Sequence, residues 1–199
     1  MVIDGCQLVV RHGSPALAKV AGTTNLLELV DEMKKMMMMM MITEEAVWEA
    51  VSRVKDPEIP VVSLVEMGIV REVSVVDEAV VVTMTPTFSG CPALEVMRRD
   101  VRDAVVALGI ADVTVEMTLA PAWTSDWITE EGRRKLKSFG LAPPRRHGGS
   151  MAVTFFEPVA CPYCDSLNTT LKNSFGPTLC RAIYYCNDCQ QPFEQFKPL

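Results

Sequence analysis

Residues 68–117 read GIVREVSVVDEAVVVTMTPTFSGCPALEVMRRDVRDAVVALGIADVTVEM. Two β-branched runs flank Asp77-Glu78, which predicts a hairpin, although the turn lacks glycine. The period then changes. Leu94, Met97, Val101, Ala104 and Leu108 recur at helical spacing, Pro92 suits a first turn, and Gly109 suits a stop. DVTVEM alternates again, with Val113, Val115 and Met117 on one side, and predicts a third strand. Upstream, TEEAVWEAVSRV (43–54) offers Thr43 as an N-cap and Glu44 and Glu45 for the positive helix end. Its apolar face is Val47, Ala50, Val51 and Val54. The prolines of KDPEIP (55–60) end that helix, because the residue before a proline avoids helical backbone. The order α-β-β-α-β predicts a small two-layer α+β domain over 43–120, with two helices on one sheet face.

Downstream, PAWTSDWITEEGRRKLKSFGLAPP (121–144) predicts a third helix. Thr129 caps it, Glu130 and Glu131 lie at its start, and Arg133 to Lys137 lie towards its end. LAPPRRHGGSM (141–151) has the composition of a linker, so 121–152 is expected to be helix plus linker and 153–199 a separate cysteine module. Residues 1–42 end in MKKMMMMMMI and are expected to be a disordered extension. A thioether site for Cu(I) at these methionines is the weaker reading.

The composition, 49% apolar and 22% charged over 199 residues, is that of a globular protein. Residues 43–128 carry 15 acidic and 6 basic side chains, a net of −9. That balance argues against nucleic acid as a partner. No apolar run is long enough for a membrane span and the start lacks the pattern of a signal peptide, so the expected location is cytoplasmic, without membrane partners. There, clustered cysteines are metal ligands more often than disulfides. His12 and His147 fall in segments expected to be disordered, and no Ser/His/Asp or Cys/His nucleophile system or Gly-rich phosphate loop stands out. Turnover by the chain itself is therefore not expected.

Two places could carry chemistry. The first is CPYCDSLNTTLKNSFGPTLCRAIYYCNDCQQPF (161–193), where Cys161/Cys164 and Cys186/Cys189 form two CxxC pairs. Four thiolates so spaced suit a tetrahedral Zn²⁺, and a module with so little core would draw much of its stability from the metal. Sulfur ligation alone leaves an iron centre open. Cys180, between the pairs, is either a small buried residue or a further exchangeable ligand. A shell closed by four thiolates has no free position, so this cluster is not expected to be catalytic. The second place is TPTFSGCPA (85–93), where Cys91 stands between a strand and a helix. A thiol at a helix N-terminus is favoured as thiolate; the alternative is an inert buried cysteine. Asp56 and Glu58 of DPEIP are the other polar candidates, and local capping beside Lys55 is their bland alternative.

VKDPEIPVVSLVEMGIVREV (54–73) with VTMTPTFSGCPA (82–93) resembles the iron–sulfur cluster assembly domain called MIP18-like, or DUF59, from about 43 to 119. Adding residues 121–144 and a four-cysteine tail ending CNDCQQPFEQFKP, the chain from 43 resembles the PaaD family (PaaJ in some genomes). These are D components of phenylacetyl-CoA epoxidase systems of aerobic phenylacetate catabolism. The resemblance implies an accessory protein that matures or delivers an Fe–S or iron centre, with Cys91 as the foremost residue for transient Fe or cluster transfer and Asp56 as the next. It implies as partners the di-iron oxygenase subunits and the flavin- and [2Fe–2S]-containing reductase. A permanent structural or redox subunit of the oxygenase complex is the alternative.

Overall fold

The computed structural model describes residues 25, 29–30, 33, 43–76, 79–148 and 158–198. The chain divides into two units, 1–40 and 41–199. Of the N-terminal extension only residues 25, 29, 30 and 33 are described, and its methionine run lies outside the described residues, as does Asp77-Glu78. All that follows concerns the second unit.

The elements in chain order are α1 (Glu44–Ser52), β1 (Val70–Val76), β2 (Ala79–Met84), α2 (Leu94–Val106), β3 (Asp112–Met117), a 3₁₀ turn (Ser125–Trp127), α3 (Glu130–Ser138), β4 (Leu141–Ala142), β5 (Thr169–Asn173), β6 (Arg181–Cys186) and β7 (Pro192–Phe196). The hairpin of β1 and β2 is antiparallel, and β3 lies parallel to β2 after the α2 crossover, giving the order β1-β2-β3. Val80, Val82 and Met84 of the central strand are buried, as are Val113 and Val115 of β3. Met117, expected on the same face, is 36% exposed at the end of its strand. Val47 and Val51 of α1 and Met97, Val101 and Val105 of α2 complete this core. Thr43 caps α1 by accepting from the Ala46 N–H at 3.3 Å, and Thr129 caps α3 by accepting from Gly132 at 3.0 Å.

Between α1 and β1 the chain makes a turn that decides where α3 sits. Ser63 and Glu66 form a reciprocal cap: the Ser63 N–H donates to Glu66 Oε2 at 2.8 Å, and the Glu66 N–H donates to Ser63 Oγ at 3.1 Å. Glycine is required at two points beside it. A Cβ on Gly132 would stand 2.8 Å from the Glu66 carbonyl oxygen, so α3 packs its backbone directly on this turn. At Gly68, with φ +67°, a Cβ would stand 2.6 Å from Trp127 Cβ. Trp123 is held by its indole N–H, which donates to the Met67 carbonyl at 3.0 Å.

The second sheet has the order β4-β7-β6-β5. Leu141–Ala142, expected to open a linker, instead pairs in parallel with Glu194 and Gln195 of β7. Two physical causes hold this stretch in place. Leu141 is buried in the main core, and the buried Arg133 guanidinium donates to the Pro144 and Ser125 carbonyls. His147, expected in a disordered tail, is also packed. Its side chain is 4% exposed, its ring lies 3.2 Å from Thr124 Oγ1, and its N–H donates to Asp126 Oδ1 at 2.9 Å. At the far end of β7, Phe196 is buried in the main core and meets Trp123 edge to face, with ring centroids 5.8 Å apart. Phe196 of the cysteine module thus joins the core of the α-β-β-α-β domain, while Ala142, Val159, Cys161, Cys186 and Phe193 form a second cluster of their own.

Candidate metal sites

Each CxxC pair of the second sheet is a tight turn followed by a residue with left-handed backbone, Asp165 (φ 62°) after the first and Gln190 (φ 59°) after the second. The chain then comes back on itself. Cys161 N–H donates to the Ser166 carbonyl at 2.9 Å, and Cys186 N–H donates to the Gln191 carbonyl at 3.0 Å. The two turns thus aim four sulfurs at one point. Cys161 Sγ lies 3.6 Å from Cys189 Sγ, Cys164 Sγ lies 3.6 Å from Cys186 Sγ, and all four sulfurs fall within 4.8 Å of one another. A metal–sulfur bond of about 2.3 Å in a tetrahedron separates its sulfurs by roughly 3.8 Å. The donor set and its spacing therefore fit a four-thiolate metal ion. Amide N–H groups of Cys189 and Asp188 hold the Cys186 thiol down to about 7. Burial and the nearby Cys186 sulfur push Cys189 up to about 12.

The other thiols stand elsewhere. Asp56, Cys91 and Cys180 line one cavity of about 370 Å³, together with Phe88, Met97 and Phe196. Asp56 closes the turn after α1, with its Oδ1 accepting from the Glu58 N–H at 2.8 Å and the Ile59 N–H at 3.1 Å. It is only 6% exposed, and burial raises its carboxyl above the usual range against the pull of those two amides. Cys91 lies in the loop from β2 to α2, three residues before α2 starts. Its carbonyl accepts from the Leu94 N–H at 3.3 Å. The expected lowering of its pKa does not occur. Burial pushes the Cys91 thiol up, the Ala93 N–H opposes it, and the neighbouring Cys180, Asp56 and Glu58 add to the rise. The helix begins too late to act alone on this sulfur, and the groups around it are acidic.

Cys180 is outside the four-sulfur group among the described residues. It is half-buried against the main core, with its sulfur 3.1 Å from Thr178 Oγ1. Its neighbour Arg181 fixes it there. The guanidinium donates to the Glu58 carbonyl at 2.7 Å and to Glu194 Oε2 at 2.9 Å, tying β6 to the Asp56 turn. Reading the sequence placed Cys180 only by its position between the CxxC pairs and missed Arg181 altogether. The signal in the sequence was the adjacent pair Cys180-Arg181 at the start of the β-branched and aromatic run of β6.

Among the described residues no helix is long and apolar enough to cross a membrane. Comparison with known proteins gives two family matches, "PaaD zinc beta ribbon domain" over 152–197 and "Iron-sulfur cluster assembly protein" over 44–118. A protein of Escherichia coli (strain K12), provisionally named as the D component of 1,2-phenylacetyl-CoA epoxidase, is 42% identical over 151 residues, which cover 76% of this chain and 90% of that protein. A protein of Porphyromonas gingivalis (strain ATCC BAA-308 / W83), named Fe-S protein maturation auxiliary factor, is 38% identical over 96 residues, 47% of this chain and 90% of that protein. A crystal structure of a domain of unknown function, DUF59, from Bacillus anthracis is 23% identical and covers 53% of this chain and 96% of that one, at a TM-score of 0.44. The chain belongs to the PaaD family: an iron–sulfur cluster assembly domain joined to a zinc ribbon.

Proposed function

We propose that this PaaD-family chain is an accessory factor that matures or delivers an iron or Fe–S centre to partner subunits of a phenylacetyl-CoA epoxidase, acting in the cytoplasm. Two names support the direction, the epoxidase component and the Fe-S maturation factor that share its sequence. The observation that carries the reading is the cavity holding Cys91 beside the buried Asp56. A carrier must hold its cargo through few protein ligands, so that a recipient can take the open positions. A half-buried thiol and a carboxylate in an open cavity meet that need. The four-thiolate cluster does not, because four sulfurs complete the shell.

In this reading the ribbon holds a structural Zn²⁺ through Cys161, Cys164, Cys186 and Cys189. The Cys91 thiol gives up its proton as the cargo iron arrives, and the Asp56 carboxyl lining the same cavity offers an oxygen ligand. The cargo is then released to the oxygenase or to the Fe–S flavin reductase.

Cys91→Ser tests this. The variant should fold and keep its zinc, yet reduce growth on phenylacetate and leave one epoxidase partner short of its metal centre. Normal growth with a fully loaded epoxidase would make Cys91 structural and end the carrier reading. The relative's naming as part of the epoxidase favours one alternative, a permanent member of the oxygenase complex. Size exclusion distinguishes the two: a permanent member keeps fixed stoichiometry with the oxygenase, whereas a carrier does not.

A further inference from the structure

The cavity beside Asp56 joins the main core to apolar surface that faces solvent. Met97 and Phe196 on its lining are buried, whereas Phe88 is 41% exposed and Leu179 is 52% exposed. Phe88 comes from the loop before α2 and Leu179 from the chain before β6, so both parts of the fold supply this apolar surface. Exposed apolar surface around a cavity marks a contact site. The charge on the lining has one sign. Asp56 and Glu58 are its carboxylates, and no lysine or arginine is among its described residues. Nearby cations are engaged elsewhere: Arg181 donates to Glu194 and to the Glu58 carbonyl, and Lys197 donates to the Leu179 carbonyl at 2.9 Å. Asp56 is only 6% exposed, and both of its hydrogen bonds fall on Oδ1. Oδ2 takes none among the described residues and is not sealed from solvent. A nearly buried carboxylate oxygen without a donor is an unmet demand for a cationic N–H group.

We propose that this cavity docks a short segment of a partner protein in which an apolar anchor side chain stands next to a lysine or arginine. The anchor enters among Phe88, Met97, Leu179 and Phe196, and the cation meets Asp56 Oδ2 and Glu58. A volume of about 370 Å³ lies at the low end for sites that bury a small ligand, roughly 300–1,000 Å³, and so suits a short segment. The wider field agrees with the local one. Residues 43–128, which include Asp56 and Glu58, carry a net of −9, which draws in a basic partner and repels an acidic one. A partner seated here stands beside Cys91, which lines the same cavity. Docking of this kind deepens the carrier reading, and rests on it for taking the partner to be the recipient of the cargo.

The test uses the zinc-loaded full chain and three fluorescently labelled, capped peptides in a glycine–serine background. One holds phenylalanine next to arginine. In the second, glutamate replaces the arginine, and in the third, alanine replaces the phenylalanine. By fluorescence anisotropy, wild type should bind the first at least about tenfold more tightly than either control, the scale of losing one anchor or reversing one charge. Leu179→Asp should lose this binding, and Glu58→Arg should invert the preference between arginine and glutamate. Both side chains are exposed, so the variants should keep the wild-type circular dichroism. Equal binding of the three peptides, or wild-type binding by both variants, overturns the docking site. If selectivity is absent while Cys91→Ser still leaves an epoxidase partner short of metal, docking is wrong and the carrier reading stands. If selectivity holds while Cys91→Ser is fully active, the carrier reading ends and the docking site stands. Self-association of the chain that Leu179→Asp abolishes, without peptide binding, would give the cavity to a second copy and overturn the proposal.

Discussion

The chain sorts its described cysteines into two regions that differ in closure. In the ribbon, two similar turns bring four sulfurs within 4.8 Å, and the local backbone alone explains how. In the cavity, Cys91, Cys180 and Asp56 come from three distant stretches, and only tertiary packing places them on one lining. A site made by local turns can be complete, saturated and inert. A cavity made at a seam keeps an open side and depends on both of its walls. The same residue type thus stands in two settings, one convergent and one open to a cavity.

That contrast can be broken at the metal. Chelating the ribbon ion, or replacing Cys186 with Ser, should unfold the second sheet, since structural zinc contributes on the order of 10 kcal/mol in small modules. Phe196 and Leu141 are also part of the main core, so the α-β-β-α-β domain should melt at a lower temperature in the same experiment. Circular dichroism with zinc analysis measures this; an unchanged domain transition would show that the regions are independent. Next in size, Phe196→Ala should cost about 3–5 kcal/mol, as for other buried aromatic truncations, and leave a single cooperative denaturant transition. Two separated transitions would break the claim of a shared core. Arg181→Met removes a buried cation with a partner on each side and should cost about 1–3 kcal/mol. It should also loosen the Asp56 turn, read as faster amide exchange at Glu58 and Ile59, where wild type is protected.

The smallest expected effect lies away from both sites. Burial alone would raise Glu66, but the Lys135 ammonium 2.5 Å from Oε1 and the Ser63 N–H hold its carboxyl below the usual range. A depressed carboxylate stabilises the fold above its unfolded pKa and loses that contribution as pH falls through the folded value. Wild type should therefore lose more stability than Glu66→Gln as pH falls from neutral through the carboxylate range, measured by denaturant midpoints. Equal losses would remove Glu66 from the account of how α3 is held.

The α-β-β-α-β domain was legible because its signals are local. Valine alternation, a helical apolar stripe and threonine caps all act over a few residues, and β1, β2, β3, α1 and α2 form where those patterns lie. The clustering of the four ribbon cysteines was legible for the same reason, since each CxxC is one turn. What pattern reading missed is long-range. Nothing within the Leu141 neighbourhood announces that it will pair with Glu194, and a proline- and arginine-rich stretch reads as linker until Arg133 binds its carbonyl. Cys91 was placed correctly between strand and helix, but its electrostatics depend on Cys180 and Asp56, which local sequence cannot bring near.

The position of Phe196 also bears on the order of events in the cell. Cys91 and Asp56 leave the ribosome well before Cys180 and Phe196, so the early domain emerges with a gap where Phe196 belongs and half a cavity where Cys180 belongs. Both are filled only after β6 and β7 have formed, and Cys186, the last residue of β6, is one of the four clustered cysteines. A ribbon that folded only around a bound metal would therefore finish the cavity last, once its four cysteines had been gathered.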